Sequence, residues 1–162
     1  PIFTQVRNRL GQLFTIEPFQ SRGEQWLAPL LDEVEARGAR RPSMGLLGPD
    51  GEGPYLLTLK EDVDLRKEGL LASFEPWILE EKLLRPVLGA DLPRHVAYVH
   101  DPEEAVEQVK EGKAQMAFFQ RAIPMDLFES IVSRGQRLPP KSTFFYPKLP
   151  TGLVINRLEG TL

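Results

Sequence analysis

Four apolar runs with residues three and four apart each stop at a glycine, and this punctuation constrains the chain more than any other feature. Trp26, Leu27, Leu30, Leu31 and Val34 precede Gly38, and Trp77, Ile78, Leu83, Leu84, Val87 and Leu88 precede Gly89. A run opened by Asp101-Pro102-Glu103-Glu104 ends at Gly112, and Ile123, Leu127, Phe128, Ile131 and Val132 precede Gly135. Such spacing lines one face of a helix, and glycine readily supplies the turn that ends it. The start signals agree. Ser21 and Glu24 have capping-box spacing, Pro76 falls in a first turn, Asp101 caps a helix with Pro102 at its first position, and Pro124 opens the last one.

Between these helices lie short runs of strand character. Gln12 to Glu17 alternates polar and apolar residues, and Met44 to Leu47 and Tyr55 to Leu59 flank the turn-rich Gly48 to Pro54, which suits a hairpin. His95 to His100, Ala114 to Phe119 and Leu153 to Ile155 complete the set. The alternation predicts an α/β or α+β fold: a mixed sheet flanked by about four helices in a single layered domain covering residues 1–162. Residues 95–135 read strand, helix, strand, helix, which places part of the sheet in parallel or split βαβ pairing. The charged stretch at 60–75 is the place for a hinge. With 162 residues, 41% of them apolar, the chain can bury a core.

The absence of cysteine excludes disulfides, thiolate nucleophiles and cysteine-ligated metals, and leans towards a cytoplasmic location. No apolar run approaches the roughly 20 residues of a membrane span and nothing resembles a signal peptide, so a soluble protein without a membrane partner is expected. The start Pro1-Ile2-Phe3 suggests a processed piece of a longer polypeptide.

Charge gives the clearest functional signal. The chain has a formal charge of -3, yet no acid lies between Glu129 and Glu159, where Arg134, Arg137, Lys141, Lys148 and Arg157 collect. In a net acidic chain this argues against general nucleic-acid affinity and for a focused site taking a small anionic ligand. Within it, Leu138-Pro139-Pro140-Lys141-Ser142-Thr143-Phe144-Phe145-Tyr146-Pro147-Lys148 has three prolines bracketing cations, hydroxyls and aromatic rings. Lys141 and Lys148 would neutralise charge, Ser142 and Thr143 would donate hydrogen bonds, and Tyr146 would add a wall with a hydroxyl. Arg134 and Arg137 would add attraction from further away. Lys-Ser-Thr has no P-loop glycines before it, so a nucleotide triphosphate loop is not indicated. Equally, these prolines and aromatics would serve to pack the last strand on the core, with both lysines in solvent.

The stretch from Pro139 to Leu149, followed by Thr151-Gly152-Leu153-Val154, resembles the C-terminal signature of the prokaryotic domain-of-unknown-function family numbered one thousand and fifteen. The likeness extends through Ile78 to Gly89, the Tyr98 to Gly112 strand and helix, and Tyr55 to Lys60, and so covers the chain from about residue 10 onward. The resemblance implies a longer protein whose preceding half carries an Asp-Gly-His-His-Arg-like motif, with any catalytic histidines there. It also implies phosphoryl transfer to a small metabolite such as free serine. On that reading Mg2+ is expected only in a complete enzyme, and the isolated piece would be inactive. The sequence departs from the family at Phe119-Gln120-Arg121-Ala122-Ile123, where a Leu-Leu-Asn-Pro-Thr-like stretch is usual, and at Phe144, where a tyrosine is usual.

Other constellations carry less. His95 and His100 on one short strand would face opposite sides and not share a metal. Glu80-Glu81 and Glu103-Glu104 diverge by about 100° on a helix, which makes them surface and helix-dipole residues. Asp62 and Asp64 lack further oxygen ligands, so no metal site is assigned. Two functions stand: an anion-binding domain of a small-molecule phosphotransferase, or a non-catalytic domain whose loop 138–150 docks on the missing N-terminal half or on a twin subunit.

Overall fold

A computed structural model describes residues 2–21 and 25–138. Helix α1 (Ile2–Leu13) leads into strand β1 (Phe14–Pro18), followed by α2 (Leu27–Gly38), β2 (Ser43–Leu47) and β3 (Tyr55–Leu59). Short 3-10 turns then lead to a continuous helix, α3, over 75–88, whose Ile78–Leu84 section is π-helical. Next come α4 (Leu92–His95), α5 (Pro102–Lys110), β4 (Ala117–Phe119) and α6 (Met125–Ser133).

The strands form one sheet in the order β1-β3-β2-β4, and the expected β2–β3 hairpin is present. Strand alternation sorts side chains between two cores. Met44, Leu46, Leu57 and Leu59 join Val6 and Leu10 of α1 with Ile78, Leu83, Leu84 and Leu92 on one face. Leu47, Leu56, Ala117 and Phe119 join Leu30 and Val34 of α2 and Val106 and Val109 of α5 on the other. The molecule is therefore a layered α+β fold with helices on both faces of an antiparallel sheet. A Cβ on Gly45 would lie 2.8 Å from the Leu30 side chain and 3.2 Å from that of Phe119, so glycine lets α2 approach the sheet closely.

Three expectations change. Every described strand pair is antiparallel, including β2 with β4, in place of the predicted parallel segment. The reason is that His95 to His100 is no strand: Pro93 fixes a helical φ in α4, Val96 is extended, and residues 96–100 have no ladder partners among the described residues. The helix predicted to start at Ser21 begins at Leu27, with Trp26 in the cap position and no side-chain cap. Pro29 sits in its first turn, where the missing N–H matters least. Helix α1 is additional; Val6 and Leu10, one helical turn apart, bury its inner stripe.

The 60–75 stretch folds onto the body. Ala72, Phe74 and Glu75 are buried, Glu68 pairs with Lys82 of α3, and the Lys82 ammonium lies 5.3 Å over the Trp77 ring. Arg41 fastens the end of β3 by donating to the carbonyls of Leu59 and Lys60. No helix among the described residues is long and apolar enough to cross a membrane.

Candidate functional site

Of the residues singled out for anion binding, Arg134 and Arg137 are described, and Lys141, Ser142, Thr143, Tyr146 and Lys148 lie outside the described residues, as does the strand predicted at Leu153 to Ile155. Arg134 is the C-cap of α6, and Arg137 follows Gly135, whose φ of 67° ends the helix. Both guanidinium groups are exposed, and neither has a hydrogen-bond or ion-pair partner among the described residues. Arg37, Arg66, Arg85 and Arg121 each face a carboxylate, whereas the exposed Arg7 and Arg40 share the unpaired state among the described residues. On the same helix Met125 and Val132, seven residues apart, are 66% and 52% exposed.

Among the described residues, the one fully buried charged side chain is one the sequence did not single out. Glu75, the first residue of α3, has a fully buried side chain, and its Oε1 accepts a hydrogen bond from Arg121 Nε at 2.8 Å. Arg121 lies two residues beyond β4, its side chain only 10% exposed. The last residue of α2 closes over the pair: a Cβ on Gly38 would lie 2.6 Å from Arg121 Cδ and 3.3 Å from Glu75 Oε1. Glu75 Oε2 has no hydrogen bond of good geometry among the described residues. Burial pushes the Glu75 carboxyl above its ordinary value, while its own N–H, the Arg121 guanidinium and the Ser43 N–H pull the other way. The sequence signal was two charges set among apolar neighbours, Phe74-Glu75-Pro76-Trp77 and Phe118-Phe119-Gln120-Arg121-Ala122-Ile123.

Beside this pair, Pro76, Leu79, Glu80, Leu84, Leu92, Val96, Tyr98 and Gln120 line a small open hollow of about 30 Å³, large enough for water but not for a metabolite. Its walls are mostly apolar. Glu80, one of its lining residues, is ion-paired with Arg85, and burial together with the Glu80 charge raises the Tyr98 phenol above its usual value. The π-helical turn brings Glu80 and Glu81 onto one partner: Arg85 Nη2 reaches Glu80 at 2.6 Å and Nε reaches Glu81 at 2.8 Å. The two acids, read from sequence as divergent, thus converge on a single guanidinium, because a π turn makes residues five apart neighbours.

The remaining constellations are structural. His95 ends the short α4 and His100 precedes the α5 cap, so they are not two positions of one strand. Both carboxylate oxygens of Asp64 are held by Arg66, through Nε and Nη2 at 2.9 Å, and this contact keeps Asp64 down at about 2. Among the described residues no group of three or more acids and histidines is placed to hold a metal ion. Trp26 packs edge-on against Phe119 with ring centres 6.1 Å apart, as a core residue. No family model, curated protein or solved structure matches the chain.

Proposed function

We propose that the chain is an anion-binding C-terminal domain that contributes to phosphoryl transfer onto a small metabolite in a longer cytoplasmic protein. The observation that supports this reading is the pair of exposed arginines, Arg134 and Arg137, without carboxylate partners among the described residues, at the end of α6 and directly ahead of Lys141. Unpaired guanidinium groups keep their full hydrogen-bonding capacity for an incoming phosphate, and a stretch without acids leaves their field uncancelled. Lys141, Ser142, Thr143, Tyr146 and Lys148 complete the proposed donor set. The group stabilises phosphate charge, and catalytic residues and any Mg2+ belong to the complete enzyme.

Calorimetric titration of the 162-residue chain with inorganic phosphate and pyrophosphate tests this. Millimolar or tighter binding is expected, weakened by about tenfold or more in Lys141→Ala, a loss of about 1.4 kcal/mol. Absence of binding by the unsubstituted chain would rule the site out. Exposed Met125 and Val132 on α6 favour a second reading, in which this end of the molecule is an interface for a twin subunit or a preceding half. Sedimentation that depends on protein concentration, with no phosphate binding, supports that alternative.

A further inference from the structure

We infer that Glu75 and Arg121 form a latch that positions α6, and with it Arg134 and Arg137, on the segment 70–75. Helix α6 stands apart from the two cores that sandwich the sheet, since none of its residues is among the buried members of either cluster. Its hold is local. Ile131 is fully buried, and the helix packs on the turn Leu70–Ser73. That turn runs through Phe74 into Glu75, and Arg121 lies four residues ahead of Met125, the first residue of α6. Residues 70–75 therefore grip α6 twice, by packing on the helix itself and by the ion pair on the segment that enters it.

The pair has the form of a fastening that can open. Contact is through one nitrogen and one oxygen, not through the two-pronged geometry that arginine and carboxylate form when unconstrained, and the buried Glu75 Oε2 has no hydrogen bond of good geometry among the described residues. An incompletely satisfied buried pair gains less from its closed state than a fully bonded one. Gly38 sets the clearance. Its missing side chain leaves room for the Arg121 stem between α2 and the carboxylate, so the latch ties the end of α2, the start of α3 and the exit of β4 at one point. Pro124, extended at the start of α6, gives that helix no side-chain cap, so the capping that would otherwise fix its first turn is absent.

Hydrogen exchange of the 162-residue chain, followed amide by amide, tests the latch. Glu75→Gln keeps the shape and removes the charge, and Gly38→Ala keeps both charges and pushes on the Arg121 stem. In each variant amides of residues 125–133 are expected to exchange about tenfold faster or more, while those of β3 keep the unsubstituted rates. Equal loss of protection in β3 would make the pair a general stabiliser, and unchanged α6 rates would remove its role; either result overturns the latch. If Glu75→Gln does not fold, Gly38→Ala decides alone. The consequence for Arg134 and Arg137 rests on the proposed anion site, and phosphate titration separates the two. No phosphate binding by the unsubstituted chain sinks the site and leaves the exchange result standing.

Discussion

Gly38, set beside Gly89, Gly112 and Gly135, shows how one residue type can serve unlike ends. Gly89, Gly112 and Gly135 stop their helices with φ of 55°, 71° and 67°, the left-handed region that other side chains avoid. Gly38 also closes a helix, yet it is required by space: its absent Cβ makes room for Arg121. Glu75 is charged where charge is costly. Since its folded value is raised above the ordinary carboxylate value, the native state holds that proton more tightly than the unfolded chain does. Its contribution to stability is therefore full below the unfolded value and is lost as pH rises through the folded one. Urea unfolding from mildly acid to neutral pH is expected to show the stability of the unsubstituted chain falling relative to Glu75→Gln as pH rises. A difference that is constant, or that grows in favour of the glutamate, would show that the partners of the carboxylate outweigh its burial.

At the scale of elements, what the sequence revealed was what is local. Helix α5 carries its instructions within a few residues: Asp101 Oδ1 accepts the Glu103 N–H at 2.9 Å, Pro102 opens the first turn, and Glu103 and Glu104 face the positive end of the helix. Asp101→Ala is accordingly expected to cost about 1 kcal/mol in thermal or urea unfolding, and Asp101→Asn much less; equal losses would assign the effect to charge and not to the cap. Strand pairing is not local. His95 to His100 has strand-forming residues, but a strand also needs a neighbour, and the chain gives β2 to β4 instead. Helix α1 escaped because Val6, Leu10 and Leu13 make a thin stripe, and the Glu75–Arg121 pair because its members are 46 residues apart. Edge strand β1 also obeys a rule visible only once paired. Lys60 N–H bonds Leu13 and Phe19 N–H bonds Pro54, so Thr15 and Glu17 turn their backbone groups to β3, while Ile16 and Pro18 turn theirs outward. Pro18 offers no donor on that side, and this blunts the edge against further pairing.

For the whole molecule, the sheet is the element both cores share, and its central strands bear the largest consequence of change. Leu57 and Met44 face each other across β3 and β2, both fully buried among residues of α1 and α3, whereas Leu56 and Leu47 serve α2 and α5 on the far side. Removing three carbons from Leu57 leaves a void walled by a sheet that cannot collapse without disturbing the opposite core. Leu57→Ala is therefore expected to lower stability by about 2–5 kcal/mol, a large part of the roughly 5–15 kcal/mol available to a domain. Because both layers rest on the same strands, helix signal and tryptophan fluorescence should shift to lower urea together, Trp26 reporting the α2 core and Trp77 the α3 side. If the two probes separated, with the α2 layer outlasting the α3 layer, the sheet would not couple the two cores, and the fold would consist of two units sharing strands without sharing stability.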